Sequence, residues 1–377
     1  MNKPIRILHV LGALNRGGAE TMIMNIYRNI DRSKIQFDFI IHTQDKCDFN
    51  DEIIALGGRI FSVPRYNGKN HFSYKKSWKV FFTHHREYKI VHGHMRSTAS
   101  IYLKIAKKYG LVTIAHSHST ASRGNKIEQI VKNIMQYPIR YIADYLFACS
   151  NEAGARLFGK KSLKKENYKV IKNAIDVDKY VFNEVKRNEK RKALDIEDKF
   201  VVGHVGSFTY PKNHKFLIDV FFEVQKQKEN SVLLLVGDGE LRTQIEKQIS
   251  DLGIEDKVII TGVVENVNDY MQAMDVFVFP SIFEGLGMAV IEAEATGLPS
   301  IVSDKIPKET FIIDSIEKLS LKTSIKTWAD ITLQYCRNYK RKNTSQDIAK
   351  LGYEIKESAQ SIEDFYSNII YNKLRYK

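Results

Sequence analysis

The chain has 377 residues, more than one ordinary core accommodates, so two domains are expected. Its 43% hydrophobic and 11% aromatic content argue against a mainly disordered chain. The net charge of +14 asks for an anionic partner, yet there is no zinc finger, RRM-type aromatic signature or basic-region helix to present it to nucleic acid.

No apolar run approaches the roughly 18 to 20 residues of a membrane span, and the opening Met-Asn-Lys-Pro-Ile-Arg-Ile leads into a strand rather than a signal peptide. A cytoplasmic protein is therefore expected. Cys47, Cys149 and Cys336 have neither CxxC nor metal-like spacing, which argues against a disulfide framework or a zinc site.

Short β-rich runs alternate with helical patterns, which predicts parallel α/β layers. The first strand, Ile5 to Leu11, runs into Gly12-Ala-Leu-Asn-Arg-Gly-Gly-Ala-Glu20, where glycine allows a sharp turn with accessible N–H groups. The run is not GxGxxG, so a dinucleotide-dependent redox enzyme is not expected. Further strands are predicted at Phe37 to Thr43, Arg59 to Val63, Ile90 to Gly93, Thr113 to His116 and Tyr145 to Cys149. His92 and His94 follow the fourth as cleft-lining or capping residues, and Ala115-His116-Ser-His118 ends the fifth. Histidine can donate to a hydroxyl or a developing charge at neutral pH. Histidines at i, i+2 could also ligate a metal, but no neighbouring carboxylate or cysteine cluster completes a site, and none is expected.

Lys104, Lys107, Lys108, Arg123, Lys126, Lys132 and Arg140 are opposed in their stretch only by Glu128, and Ile127, Ile130, Val131, Ile134 and Met135 recur there at helical spacing. Two readings stand: a helix packing its apolar face on its own domain, or one lying on an anionic membrane surface. The charged run Asn183-Glu-Val-Lys-Arg-Asn-Glu-Lys-Arg-Lys192 is the expected linker, giving domains of 1–182 and 183–360.

In the second half, strands are predicted at Phe200 to Val205, Val232 to Val236, Val258 to Thr261, Val276 to Phe279 and Ser300 to Ser303. Each half can close its own doubly wound sheet, with ligands beyond the carboxyl ends of the strands and a cleft where two such sheets face. The most informative segment is Glu284-Gly-Leu-Gly-Met-Ala-Val-Ile-Glu292, where a buried strand hands over to a helix that stops at Gly297-Leu298-Pro299. A helix N-terminus directs unpaired N–H groups and a positive dipole end at phosphate. Carboxylates accept hydrogen bonds from hydroxyls, so Glu284 and Glu292 flanking such a pocket suit a nucleotide-sugar.

The Glu-x7-Glu spacing, with Asp275-Val-Phe-Val-Phe-Pro-Ser281 before it and Glu294-Ala-Thr-Gly-Leu-Pro299 after it, resembles the donor-site signature of retaining glycosyltransferases of family 4. Asn15-Arg-Gly-Gly-Ala-Glu-Thr21, His116-Ser-His118 and Ile306-Pro-Lys-Glu309 extend the resemblance along nearly the whole chain, most closely to bacterial enzymes of capsular and exopolysaccharide biosynthesis. The resemblance implies an α/β fold of GT-B type, two Rossmann-like domains facing across a cleft, with a last helix near 361–377 crossing back to the first domain. It implicates Gly17 and Gly18 at the donor diphosphate and acceptor, and His116, favoured over His118, near the transferred sugar. Glu292 would bind the donor ribose, while Glu284 and the amides of Gly285, Leu286 and Gly287 hold the sugar. Lys212 would support the diphosphate, but Ser207 stands where arginine is usual, which removes a bidentate fork. Asp238 and Val263, in Val236-Gly-Asp-Gly-Glu240 and Thr261-Gly-Val263, match loops around the nucleotide. Asp176-Val-Asp178 matches an interdomain segment rather than a metal-binding Asp-x-Asp.

The implied function is retaining, metal-independent transfer of a hexose or N-acetylhexosamine from a UDP-linked donor to a lipid-linked oligosaccharide at the inner membrane face, with no cofactor. The alternatives are a nucleotide-sugar 2-epimerase and, given Ser207, a catalytically silent partner in a polysaccharide assembly complex.

Overall fold

The computed structural model describes residues 3–119, 126–312, 316–336 and 339–375, and its contacts divide the chain into two units, Met1–Ile175 with Gly352–Lys377, and Asp176–Leu351. The first unit runs β1 (Ile5–Val10), α1 (Gly18–Asn29), β2 (Ile35–Ile41), α2 (Asn50–Ala55), β3 (Ile60–Ser62), α3 (His71–His84), β4 (Ile90–Gly93), α4 (Ala99–Lys108), β5 (Val112–Ser117), α5 (Lys126–Gln136), α6 (Ile139–Ile142), β6 (Tyr145–Ala148), α7 (Asn151–Phe158) and β7 (Tyr168–Val170). Its strands form one parallel sheet in the order β3-β2-β1-β4-β5-β6-β7.

The second unit runs α8 (Val177–Tyr180), α9 (Glu184–Ala193), β8 (Phe200–Val205), α10 (His214–Gln227), β9 (Ser231–Val236), α11 (Arg242–Asp251), β10 (Val258–Ile260), α12 (Val267–Ala273), β11 (Val276–Phe279), α13 (Met288–Ala295), β12 (Ser300–Ser303), β13 (Ile316–Leu319), α14 (Ile325–Gln334) and α15 (Ser345–Ile348). Its sheet, ordered β10-β9-β8-β11-β12-β13, is also parallel. The final helix, α16 (Ile355–Arg375), belongs to the first unit.

Both faces of each sheet are covered, which is why the strands read as apolar runs rather than alternations. In β9, Leu233 and Leu235 enter one core layer while Val232, Leu234 and Val236 enter the other. In both sheets the strand order reverses beside the first strand, between β1 and β4 and between β8 and β11. Loops that follow these strands at their carboxyl ends are where doubly wound folds bind ligands.

Two edge strands escaped the sequence reading. β7 and β13 read Tyr-Lys-Val and Ile-Glu-Lys-Leu and are only partly buried, so neither carries a continuous apolar signal. The expected linker is also corrected. Residues 184–193 form α9, capped by the Asn183 side chain accepting from the Lys186 N–H at 3.0 Å. Arg187 and Arg191 lie one turn apart and both pair with Asp275, whose Oδ2 also accepts the Val201 N–H at 2.7 Å. The charges thus dock the helix on the amino ends of β8 and β11.

The returning helix starts at Ile355, earlier than expected, after a left-handed Gly352 at φ 78°. Ile355, Ala359, Ile362, Tyr366 and Ile369 form one stripe within the first unit's core. Fully burying each of the large apolar members contributes about 1.5–3 kcal/mol. Glu363 adds polar fixation by accepting the Asp31 N–H at 2.9 Å.

Ile130, Val131 and Ile134 of α5 are 59%, 50% and 67% exposed, and Tyr137 and Tyr141 beyond it are exposed too. Among the described side chains of α5 these three are therefore not covered by their own domain, whereas Met135 of the same helix is half-buried. Arg123 and the side chains of Lys126 and Ile127 lie outside the described residues. Among the described residues no helix is long and apolar enough to cross a membrane.

Candidate active site

The second unit assembles its site from two loops tied together by backbone. After β8 the chain makes a 3-10 turn at Tyr210–Lys212 and enters α10 through Asn213, held left-handed at φ 58°. The Asn213 side-chain amide donates to the Pro280 carbonyl at 3.1 Å, and the Ile282 N–H donates to the Pro211 carbonyl at 2.8 Å. These bonds fix the loop after β11 against the turn and bring Lys212 Nζ to 2.7 Å from Glu284 Oε1, with both side chains largely buried. Lys212 Nζ also lies 4.6 Å from the Phe279 ring centroid.

The same loop ends at Gly287, whose φ of 76° suits glycine and which precedes the first turn of α13. The Thr310 hydroxyl donates to the buried Leu286 carbonyl, which anchors the run from Gly285 to Gly287. Glu292 lies farther along α13, only partly exposed. Burial pushes its carboxyl up to about 7, against the opposing pull of a Tyr180 hydroxyl hydrogen bond and the Lys212 charge. Burial and the Glu292 carboxylate in turn raise the Tyr180 phenol well above its ordinary range. Glu284, Glu292 and Lys212 are thus gathered around one strand-to-helix junction, with Tyr180 of α8 as a member the sequence did not reveal.

Ser207 is exposed, its hydroxyl 3.4 Å from that of Thr209. Asp238 organises its own loop, accepting the Gly239 N–H at 2.7 Å and pairing with Arg242 at 3.3 Å. Arg242 also pairs with Glu246 at 2.5 Å. Val263 is 65% exposed beyond the end of β10, an apolar side chain available to a flat ring.

In the first unit Gly17 precedes α1, and a Cβ there would lie 2.4 Å from Glu20 Oε2, because the Glu20 carboxylate folds back across the helix start. Burial raises the Glu20 pKa. Gly18 faces open space. An anion approaching these amides would have to displace the Glu20 side chain.

His116 is the histidine expected near the transferred sugar. It sits in β5 at 1% exposure, whereas His118 beyond the strand is partly exposed. The pair belongs to a larger group. His92 Nε2 is 3.1 Å from His116 Nδ1, and His92 Nδ1 is 2.7 Å from the Tyr366 hydroxyl. His94 lies between His9 Nδ1 at 3.0 Å and His118 Nε2 at 2.7 Å. Burial drives all five imidazoles below their ordinary range, His9 and His118 down to about 3, so they are neutral at neutral pH. The equal i, i+2 spacing of His92/His94 and His116/His118, on and just beyond the adjacent strands β4 and β5, signals this grouping, since such residues share a face. His9 on β1 carried no such signal.

Residues 16–179 match the family described as Glycosyltransferase Family 4, and residues 186–350 match Glycosyl transferases group 1. The EpsF protein of Bacillus subtilis, named a glycosyltransferase, is 32% identical over 369 residues, covering 96% of both chains. The Escherichia coli UDP-Gal:alpha-D-GlcNAc-diphosphoundecaprenol alpha-1,3-galactosyltransferase is 26% identical, covering 76% of this chain and 77% of its own. Among solved structures, Anabaena Alr3699/HepE in complex with UDP and glucose superposes with a TM-score of 0.78 at 18% identity, covering 96% of this chain and 99% of its own. Two parallel Rossmann-like units, the Glu-x7-Glu junction and a full-length relative together place this chain in glycosyltransferase family 4, group 1, with the GT-B fold.

Proposed function

We propose that the protein transfers a hexose or N-acetylhexosamine from a UDP-linked donor to a lipid-linked oligosaccharide, with retention at the anomeric carbon, in the assembly of a capsular or extracellular polysaccharide. The observation that carries this reading is the convergence of Lys212, Glu284 and Glu292 at the β11–α13 junction. Support for the donor class comes from the UDP complex of the Anabaena protein, and for the acceptor class from the diphosphoundecaprenol acceptor of the E. coli relative.

Glu292 accepts the ribose hydroxyls, and Tyr180 holds its carboxylate in place. Glu284 and the amides of Gly285 to Gly287 hold the donor sugar. On donor binding Lys212 shifts its charge from Glu284 towards the diphosphate, aided by the amino end of α13. The C1–O bond to the β-phosphate breaks, the acceptor oxygen bonds to C1 on the same face, and the acceptor proton passes to the leaving phosphate. No protein nucleophile and no divalent ion at the diphosphate is required, so rate enhancement rests on positioning and fixed charge. With Ser207 in the arginine position, Lys212 carries the leaving-group charge among the side chains named here. His118, the more exposed of its pair, is the histidine able to touch substrate, with His116 behind it. α5, with Ile130, Val131 and Ile134 exposed beside basic residues, lies on the anionic bilayer that holds the acceptor.

A thermal-shift and calorimetric screen against a panel of nucleotide-sugars, followed by product analysis with and without an undecaprenyl-diphosphate saccharide, tests this reading. It predicts donor binding and acceptor-dependent glycoside formation. Conversion of the donor without acceptor would instead identify a 2-epimerase, and no donor binding by a folded sample would identify a silent partner.

A further inference from the structure

The histidines at the carboxyl ends of β1, β4 and β5 have more chemistry than sugar transfer uses. In His94, His116 and His118 one ligating nitrogen from each lies within 4.8 Å of the other two. The sequence offered only pairs at i, i+2 and no third ligand. The fold supplies the third by placing β4 beside β5.

Hydrogen-bond accounting shows that imidazole pairing alone leaves this group incomplete. Three neutral imidazoles in the line His9–His94–His118 carry three N–H protons for two N···N contacts. His116 Nε2 is buried with no hydrogen-bond partner, and of the orphaned nitrogens in the group, His118 Nδ1 and His9 Nε2 being the others, it is the one an ion here would satisfy. The contacts that do exist have the form of supports behind metal ligands. His116 Nδ1 faces His92 Nε2, whose ring is held in turn by Tyr366, which leaves His116 Nε2 to the site. His94 Nε2 faces His9 Nδ1, which leaves His94 Nδ1 to the site. A metal-ligating histidine commonly donates its second N–H to such a partner, fixing tautomer and ring orientation.

We propose that His94, His116 and His118 form a binding site for a late first-row divalent ion, zinc above all, through His94 Nδ1, His116 Nε2 and His118 Nε2, with the fourth position open. Neutral imidazole is a preferred ligand of this class, and three histidines with an open position are an established zinc donor set. Bond lengths of about 2.0–2.1 Å in a tetrahedron place donors about 3.4 Å apart. The 2.7 Å contact between His94 and His118 would therefore open by about 0.7 Å as the ion replaces the shared proton. The other close triplet, His9, His92 and His94, is buried throughout, whereas His118 is partly exposed and gives an ion a way in. The ion is no part of the transfer chemistry. It would occupy His118 and withhold it from substrate, so the metal-loaded form is the less active one.

The test uses the full chain without a histidine tag, stripped with chelator and dialysed against Zn²⁺, with Mg²⁺ as the hard-cation control. One zinc ion per chain and no stoichiometric magnesium are expected, and His118→Gln and His94→Gln should each weaken zinc binding by at least about tenfold. X-ray absorption at the zinc edge of the unaltered protein needs no variant and should show a nitrogen and oxygen shell with outer scattering from three imidazoles. Absence of stoichiometric zinc, a sulfur-containing shell, fewer than three imidazoles, or affinity unchanged in either folded variant would overturn the proposal. Since donor binding is measured on metal-free protein, either result leaves the transferase reading to its own test.

Discussion

Replacing Glu292 with glutamine should stabilise the ligand-free protein above neutral pH while weakening donor binding. The carboxyl is displaced from its ordinary 4.5 to about 7, chiefly by burial, with Tyr180 and Lys212 pulling the other way. Because the folded value lies above the unfolded one, the native chain binds the proton more tightly. Stability therefore falls as pH rises from 4.5 to about 7 and is level beyond. At about 1.4 kcal/mol per pH unit the full displacement is worth about 3 kcal/mol, and partial solvent access reduces the realised figure to about 2. Glutamine keeps the size of the side chain and an acceptor for Tyr180 but carries no charge. Denaturant unfolding of both proteins across pH 4.5 to 8.5 should show the variant gaining about 2 kcal/mol relative to wild type by the alkaline end. Calorimetry with UDP at pH 8 should show the variant binding at least about tenfold more weakly, about 1.4 kcal/mol. Stability curves that stay parallel would refute the buried-charge argument. Unchanged UDP affinity would refute the ribose assignment.

Lys212→Ala should depress turnover by at least about tenfold, about 1.4 kcal/mol in the barrier, in a steady-state assay with saturating donor. Ile130→Ser with Ile134→Ser should abolish cosedimentation with anionic vesicles and leave the thermal midpoint unchanged, since both side chains are already exposed. Asp38→Asn should cost about 3–5 kcal/mol by urea unfolding. That buried carboxylate takes bonds from Arg6 at 2.6 Å, Arg59 at 2.8 Å and Tyr88 at 2.7 Å. Burial alone would raise the Asp38 pKa, but these donors outweigh it and hold it below its ordinary value. The stabilisation is therefore present above 3.8 and is lost as pH falls through the depressed value, so the variant should show a smaller acid-induced loss than wild type.

The parallel sheets were legible because each central strand is an apolar run ended by glycine or a polar turn, and the strand-to-helix junction at Glu284 carries its own punctuation at Gly287 and Pro299. What was not legible joins residues distant in sequence. Tyr180 reaches Glu292 from α8, and nothing in the spacing of either residue announces the other. Arg187 and Arg191 looked like linker charge because their partner, Asp275, precedes a different strand. Glu20 folding over Gly17 and the burial of His116 are side-chain outcomes that a glycine turn or an i, i+2 pair does not determine. The edge strands β7 and β13 were missed because partial exposure admits lysine and glutamate, which erases the apolar signal.

The most direct test of the donor assignment is a crystal structure of the protein soaked with UDP. The account predicts the ribose hydroxyls on the Glu292 carboxylate and the diphosphate at the amides leading into Met288, with Lys212 drawn away from Glu284. A nucleotide seated elsewhere, with Lys212 and Glu284 still paired and Glu292 touching only protein, would contradict it.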